Sequence, residues 1–230
     1  MKISVQLYTV RDQMAKDPAG TLNAVGAMGY RYVETAGFAG KTAKEFRSML
    51  DGAGLKASGM HVSLDECEKD VKAVLAQAAE LDTRYVIVPW VPENSYKSGW
   101  SKLAARLEAV ARAVAAEGRV FAYHNHVFEF TEKEAGKTGW DVLFESSDSR
   151  FVKAQIDLFW AHCGNQDLPA LIRKYGTRVH LVHLKDGKGQ NDPTQFEAGR
   201  GVLNWDPILE ACVENKVVFG VVELDTCPNP

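Results

Sequence analysis

The chain has 230 residues, of which 46% are hydrophobic and 25% charged, and its formal net charge at pH 7 is −3. The hydrophobic and charged fractions are those of an ordinary globular protein. The negative net charge gives no reason to expect nucleic acid or an anionic membrane as a partner. No apolar run approaches the roughly 20 residues that span a bilayer, and Lys2–Leu7 enters a strand-like run without the features of a signal peptide. The four cysteines are scattered and form no CxxC pair, so we expect reduced thiols and a cytoplasmic location.

Short apolar runs alternate with longer segments of helical period, which is the pattern of repeated βα units around a parallel sheet. Eight strands are predicted, at Lys2–Leu7, Arg31–Thr35, Lys56–His61, Tyr85–Pro89, Val120–Phe130, Phe151–Asp157, Val179–Leu184 and Val217–Leu224. Seven helices are predicted between them, at Pro18–Met28, Thr42–Ala53, Leu64–Leu81, Gly99–Glu117, Trp140–Ser146, Leu168–Tyr175 and Trp205–Asn215. Eight regular units favour a single (β/α)8 TIM barrel over residues 1–230, rather than an open sheet, and no Gly-x-Gly-x-x-Gly follows the first strand.

The predicted barrel lacks its eighth helix. Only six residues follow Leu224, too few to cover the gap between the first and last helices. Either the sequence is truncated or another surface covers this gap. An uncovered seam would be an apolar patch, so we predict that it favours a homodimer.

Ionisable side chains end six of the eight predicted strands: Glu34, His61, His124 with His126, Asp157, His183 and Glu223. Active sites of TIM barrels lie at the C-terminal ends of the strands, so these side chains are expected to converge. A single histidine at a strand end is more often an ordinary hydrogen-bonded residue, but four candidates together reverse that balance. His124, Asp157, His183 and Glu223 have the ligand types of a site for Mn²⁺, Co²⁺, Zn²⁺ or Fe²⁺. His180 points to the other face of its strand and is predicted to lie under the helices.

Other polar and aromatic residues follow the strands. Lys185 shares a face with His183, and we favour a role in binding a substrate oxyanion over that of a solvated loop lysine. Trp90 and Trp160 follow strands four and six, where they would either stack on a substrate ring or cover the core. The polar, Gly-rich segment Gly187–Gly201 is predicted to form a lid.

Motifs in eight places carry a resemblance: Gln6–Asp12, Gly29–Glu34, His61, Tyr123–Phe130, Asp157–Trp160, His183–Asp186, Gly199–Trp205 and Glu223–Asp225. In this order and spacing they resemble the sugar phosphate isomerase/epimerase family, whose members are xylose isomerase-like TIM barrels related to inosose dehydratase and hydroxypyruvate isomerase. The resemblance covers nearly the whole chain. Each motif is short, and it is their order and spacing together that is specific.

The resemblance implies one divalent metal ion, most often Mn²⁺, with Co, Zn, Fe or Mg as alternatives. The family holds it with a Glu, an Asp, a His and a second Glu, and Asp157, His183 and Glu223 match three of these. His124 stands near the first Glu position, and His126 follows one strand period later. Family epimerases use the two glutamates as paired acid/base groups, so only Glu223 keeps that role here. Substrate contacts are expected from Glu34, His61, Trp90, His126, Glu129, Trp160 and Lys185.

The leading hypothesis is a metal-dependent isomerase or epimerase for a keto-sugar or a related polyol. Glu223 would remove the proton next to a carbonyl, Lys185 and the metal would stabilise the enolate, and His124 or His126 would be a ligand or the partner acid. One alternative is a dehydratase or lyase that works by β-elimination. A third enzyme class is the cleavage of abasic DNA, as in endonuclease IV. The negative net charge of the chain argues against it, and a DNA enzyme should bind DNA in a salt-sensitive way. A non-catalytic sugar-binding barrel is the remaining alternative.

Overall fold

Eight parallel strands form a closed barrel in the computed structural model, which describes residues 1–227. Each strand pairs with the next one along the chain, and the last pairs with the first, with Lys2 opposite Phe219. The strands are β1 Lys2–Gln6, β2 Tyr32–Ala36, β3 Lys56–His61, β4 Tyr85–Val88, β5 Val120–His124, β6 Val152–Asp157, β7 Val179–Leu184 and β8 Phe219–Val222. The predicted (β/α)8 TIM barrel is confirmed.

Helices connect the strands on the outside of the barrel. They are α1 Arg11–Lys16, α2 Pro18–Ala27, α3 Ala43–Gly52, α4 Leu64–Lys69, α5 Val71–Glu80, α6 Glu93–Lys97, α7 Trp100–Ala116, α8 Phe128–Thr131, α9 Gly139–Ser146, α10 Leu158–Cys163, α11 Leu168–Tyr175 and α12 Trp205–Glu214. Short 3-10 helices occupy Leu7–Val10 and Gly176–Arg178, and two-stranded ribbons pair Lys133–Glu134 with Lys137–Thr138 and Asp186–Gly187 with Gln195–Phe196. The four cysteines are free thiols, as predicted.

Side-chain caps set several of the helix starts. Asp17 caps α2 as predicted, and Thr42 with Glu45 forms the predicted capping box of α3. The helix predicted over Leu64–Leu81 is wrong in one respect, because Asp70 interrupts it. The Asp70 side chain accepts a hydrogen bond from a backbone N–H at the start of α5, so a new helix begins there.

Strand β5 ends at His124, six residues earlier than its prediction. The chain then turns into the short helix α8, because the Glu129 carboxylate accepts hydrogen bonds from the His126 backbone N–H and the Tyr123 hydroxyl, both at 2.8 Å. Asn125 fixes the same turn by accepting a hydrogen bond from the backbone N–H of Asp157 at 3.0 Å. The strand alternation that the sequence suggested beyond His124 is therefore replaced by a turn.

The N-terminal half of the barrel interior is apolar. Side chains from inward-facing strand positions form an inner cluster of Tyr85, Ile87, Ala122, Leu181, Phe219 and Val221. His180 contacts this cluster, with its Nδ1 3.2 Å from the Tyr85 hydroxyl, so its predicted place under the helices is wrong. The cause is a register shift between β6 and β7, which leaves His180 without a partner residue in β6. Polar side chains follow at the other end of the barrel.

The gap after β8 has no helix among residues 1–227, in agreement with the sequence. Apolar side chains remain exposed nearby on the two neighbouring elements, with Ile3 of β1 47% exposed and Val213 of α12 70% exposed. A homodimer through this seam stays a prediction. No helix within the described part of the chain is long and apolar enough to cross a membrane.

Candidate active site

The C-terminal ends of β5 to β8 bring together His124, Asp157, His183 and Glu223. Each offers one nitrogen or oxygen ligand atom, and these atoms all lie within 4.8 Å of one another. The strand register accounts for this, since Asp157 lies opposite His183 and inward positions recur at every second residue. All four residues are buried. The structure thus assembles the four residues that the sequence predicted as metal ligands.

Three donor atoms of this set lie close enough to share one cation. His183 Nδ1 lies 2.8 Å from Glu223 Oε2 and 4.0 Å from Asp157 Oδ2. Asp157 Oδ2 is buried, and no donor among the described residues meets it with hydrogen-bonding geometry, although the Lys185 ammonium lies 2.9 Å away. An imidazole combined with carboxylates suits Mn²⁺, Co²⁺, Zn²⁺ or Fe²⁺. These residues therefore fit a divalent ion.

Lys185 is fully buried and places its ammonium among three carboxylates. Its Nζ lies 2.9 Å from Asp157 Oδ2, 2.9 Å from Glu223 Oε2 and 3.0 Å from Asp225 Oδ2. Burial alone would lower the pKa of Lys185, but the carboxylates outweigh it and raise that pKa above its ordinary value. The structure therefore makes Lys185 a counter-ion of the site, and its contact with substrate stays a prediction.

Glu34 lies behind His183, fully buried, with both carboxylate oxygens occupied. His183 donates from Nε2 to Glu34 Oε1 at 2.7 Å, and the amides of Gln6 and Gln155 donate at 2.8 and 2.6 Å. Burial alone would raise the pKa of Glu34, but His61 and His183 outweigh it and hold that pKa below its usual range. A carboxylate in this position orients an imidazole so that its other nitrogen can face a metal ion. Glu34 therefore positions His183, and its contact with substrate stays a prediction.

His183 is held between two carboxylates, Glu34 at Nε2 and Glu223 at Nδ1. Burial alone would lower the pKa of His183, but these two neighbours raise it to about 10. Glu223 shows the opposite effect, because Lys185 and His183 outweigh its burial and hold its pKa well below the usual range. Both groups are therefore charged at neutral pH in the metal-free protein.

Gly59 makes room for Glu34 inside the barrel. A Cβ atom at this position would lie 2.7 Å from the side chain of Ile87 and 3.0 Å from Glu34 Oε2. Any larger residue would have to displace a buried charge, so the site depends on a glycine in the neighbouring strand.

Three polar residues of the site, Gln6, Gln155 and Asp225, were not predicted. Gln155 contacts His61 and His124 through Oε1, at 3.0 and 3.1 Å. Each of the three had a sequence signal, because Gln155 lies two residues before Asp157, Asp225 lies two residues after Glu223, and Gln6 ends the first strand. An inward-facing amide in an apolar strand is the pattern that would have found Gln6 and Gln155, and the two-residue period after Glu223 would have found Asp225.

Two histidines of the site are neutral at neutral pH. Burial, with His183 nearby, lowers the pKa of His124 well below its ordinary value. Burial and the charge of Lys185 lower the pKa of His126 to about 4. Nδ1 of His126 is buried and has no hydrogen-bond partner within residues 1–227, so a bound molecule could supply one. Neutral imidazoles can ligate a metal or exchange a proton.

A cavity of about 780 Å³ opens over the site, and its polar part is lined by His61, His124, His126, Glu223 and Asp225. Of the residues expected to contact substrate, His61, Trp90 and His126 line this cavity. Glu34, Glu129, Trp160 and Lys185 are not among its lining residues. Trp160 lies behind the polar part, where its Nε1 donates a hydrogen bond to Asp225 Oδ2 at 3.2 Å.

The loop Gly187–Gly201 is tied to the site through Gln195, which lies opposite Gly187 in the two-stranded ribbon. Gln195 accepts a hydrogen bond from the Asp225 backbone N–H at 2.7 Å and donates one to the Asp225 carboxylate. At the base of the loop, the buried Asp186 accepts hydrogen bonds from the Gly199 N–H and from Trp205 Nε1. The loop is thus anchored beside a cavity residue, and its role as a lid stays a prediction.

Glu129 carries a buried carboxyl group that is separate from the ligand set. Burial raises the pKa of Glu129 to about 8, despite the hydrogen bonds that it accepts from Tyr123 and His126. This residue shapes the turn after β5 rather than the cavity wall.

Metal-free protein is expected to lose stability as the pH rises from 4.5 to about 8, in part because of Glu129. Over this range the carboxyl ionises in the unfolded chain but stays protonated in the folded one, so the free energy of unfolding falls. Glu129→Gln keeps a polar group of the same shape without the titration, and the fall should become smaller. Urea unfolding of both proteins at pH 4.5 and pH 8 in EDTA measures this. If the free energy of unfolding changed equally with pH in the two proteins, Glu129 would not be a cause of the fall.

A family model described as xylose isomerase-like TIM barrel matches residues 22–225. The chain belongs to this family. Among solved structures, this xylose isomerase-like barrel is similar to a sugar phosphate isomerase/epimerase from Parabacteroides distasonis, with 22% identity over 99% of this chain and 87% of that one and a TM-score of 0.86. No curated protein matches the sequence.

Two further solved structures share the fold. One is the probable 3-DHS dehydratase AsbF of Bacillus anthracis, with 12% identity over 98% of this chain and 93% of that one and a TM-score of 0.76. The other is the 3-keto-D-glucoside 4-epimerase YcjR of E. coli, with 14% identity over 100% of this chain and 93% of that one and a TM-score of 0.72. At these identities the likeness shows the fold alone.

Proposed function

We propose that the protein is a divalent-metal-dependent sugar isomerase or epimerase that removes a proton next to a carbonyl of a keto-sugar or a related polyol. The observation that carries this proposal is the convergence of His124, Asp157, His183 and Glu223 at the cavity; among the described residues, this is the larger of two groups of possible metal ligands that share His183. The family is mostly one of enzymes, and two of the similar structures are an isomerase/epimerase and an epimerase.

The four converging residues would hold the metal, and Mn²⁺ is our first candidate. A divalent ion at this point polarises a carbonyl and an adjacent hydroxyl, which makes the neighbouring C–H more acidic. The charges of the site favour such an ion. The carboxylates of Glu34, Asp157, Glu223 and Asp225 outnumber the cations Lys185 and His183 in the same network.

Glu223 is the residue placed to accept the proton. Its carboxylate lines the cavity and is ionised at neutral pH. Lys185, 2.9 Å behind it, supplies positive charge that lowers the energy of negative charge developing in the cavity. Glu34 keeps the His183 ring in one orientation from the opposite side. These residues prepare the site.

A second proton-transfer group faces the same cavity. His126 is neutral at neutral pH, lines the cavity and has a ring nitrogen without a partner among the described residues. As a neutral imidazole it can accept the proton of a substrate hydroxyl and deliver it to the neighbouring carbonyl oxygen, while the protonated Glu223 returns its proton to carbon, which gives isomerisation. His124 is the other candidate for this proton transfer, unless it serves as a metal ligand.

Elimination is the second candidate function, and the kinds of group in the cavity favour it. The cavity offers a carboxylate base in Glu223 and neutral imidazoles in His124 and His126, instead of two glutamates. β-Elimination requires a base and a proton for the leaving hydroxyl, and an imidazole that has first accepted the proton of a neighbouring substrate hydroxyl would supply it. The similar structure of a probable dehydratase is consistent with this candidate.

Solvent-deuterium exchange tests the proposed function directly. Mn²⁺-loaded protein is incubated in D₂O with ketohexoses, keto-inositols and 3-ketoglucosides, and proton NMR follows the hydrogens next to each carbonyl. We expect loss of one such signal for at least one compound, and a shifted carbonyl, an inverted centre or a new double bond then identifies the reaction. No exchange in the whole set, with the metal bound, would favour a non-catalytic sugar-binding barrel.

A further inference from the structure

The cavity has an apolar mouth in addition to its polar part. Six side chains form this mouth: Tyr8, Phe38, Met60, Val62, Pro89 and Trp90. Two of them stand out by their exposure, because Tyr8 is 44% and Trp90 52% exposed. Within residues 1–227 these are the only aromatic members of the group of exposed large hydrophobic side chains. Aromatic rings left open to water at a cavity indicate a surface that a ligand covers.

The Tyr8 ring is held in place before any ligand arrives. The Arg11 guanidinium lies 4.3 Å from the ring centroid and donates a hydrogen bond to the Tyr8 carbonyl oxygen at 2.9 Å. The Tyr8 backbone N–H donates to Gln6 Oε1 at 3.1 Å. Because Gln6 also donates to Glu34, the mouth is connected directly to the buried network of the site. A fixed ring loses little entropy on binding.

The cavity wall carries acidic side chains and no basic ones. Glu66, Glu223 and Asp225 line it, and no lysine or arginine of the described residues does. The nearest buried cation, Lys185, is already paired with three carboxylates. Arg11 packs on the Tyr8 ring and is not among the lining residues. Apart from the proposed metal ion, a dianionic phosphate would therefore meet negative charge without a cationic side chain to bind it.

The size of the cavity points to a ligand larger than one sugar ring. At about 780 Å³ it lies in the upper part of the range of roughly 300–1,000 Å³ typical of pockets for drug-sized molecules. Both polar and apolar residues line this cavity, so we expect a matching ligand to carry a polar group and an apolar group.

We propose that the substrate is an uncharged glycoside-like compound whose reacting polar ring is joined to a flat apolar group that packs against Tyr8 and Trp90. This inference rests on the proposed function for the polar ring, and adds the apolar group and the absence of phosphate. It makes Tyr8 and Trp90 specificity-determining residues of the same cavity.

Binding of unreactive probes tests this inference apart from catalysis. Phenyl and methyl β-D-glucopyranoside, the matching galactosides and glucose 6-phosphate are titrated by calorimetry into Mn²⁺-loaded protein. We expect the phenyl glycosides to bind about tenfold more tightly than the methyl glycosides, the effect of one good aromatic contact, and glucose 6-phosphate to bind most weakly. Trp90→Ala and Tyr8→Ala should each reduce the phenyl preference, and the double variant should abolish it.

Val202→Ala is the matched control, since Val202 is 54% exposed and lies outside this cavity. It should keep the full phenyl preference. Equal binding of phenyl and methyl glycosides, tighter binding of the phosphate, no binding of either glycoside, or a preference that survives the double variant would each overturn the inference. Deuterium exchange separates the two proposals. Deuterium exchange without a preference for phenyl glycosides would contradict only the inference of an apolar group on the substrate. A preference for phenyl glycosides without deuterium exchange would contradict only the proposed reaction.

Discussion

Glu223→Gln is expected to lower deuterium exchange by about a thousandfold or more, because the amide cannot accept the proton that the carboxylate takes. The change keeps the size of the side chain. It also removes a negative charge 2.8 Å from His183 and 2.9 Å from Lys185, so the metal should bind more weakly as well. Exchange is measured by NMR at saturating Mn²⁺, and metal content by elemental analysis after purification without chelators.

The wild-type protein should carry about one divalent ion per chain, and His183→Ala should lose it. Glu80→Gln is the matched control, because Glu80 is exposed on α5 and is not among the residues that line the cavity. Full exchange activity in Glu223→Gln would rule out Glu223 as the base. Absence of bound metal in the wild type, even after reconstitution with Mn²⁺, would contradict the proposed metal-dependent function.

Lys185→Met should destabilise the metal-free protein by about 3–5 kcal/mol, the usual cost of removing one partner from a buried ion pair. The variant leaves Asp157, Glu223 and Asp225 close together without the ammonium that lies 2.9–3.0 Å from each of them. Urea unfolding in EDTA measures the loss. Mn²⁺ should restore much of it, because a divalent ion replaces the missing positive charge among the same oxygens.

The neighbouring loop offers a control with the same geometry and a different environment. Lys188 lies 2.9 Å from Asp192, but both side chains are about half exposed. Lys188→Met should therefore cost at most about 1 kcal/mol, since water screens exposed ion pairs. If Lys185→Met cost no more than this control, Lys185 would not be the counter-ion that its distances indicate.

Much of the fold could be read from the order of residues, because barrel units are local. Alternating short apolar runs and helical periods predicted all eight strands, and Asp17 and Thr42 marked helix starts by their capping chemistry. Strand periodicity also placed His124, Asp157, His183 and Glu223 at one end of the barrel. Local rules failed where a distant partner intervened, as when Asn125 accepted a hydrogen bond from the Asp157 backbone and the chain turned after His124.

The kinds of side chain that end the strands follow from the order of amino acids alone, and with them the expectation of a polar site with donors for a divalent metal. The surroundings of each side chain follow from the closed barrel. Closure surrounds Glu34 with donors from β1, β6 and β7, and it surrounds Lys185 with carboxylates at the ends of β6 and β8. In a strand, side chains point alternately to the two faces of the sheet, so the direction of a side chain can be read from its position in the sequence. Its partners and its charge depend on contacts between strands that are far apart in the sequence.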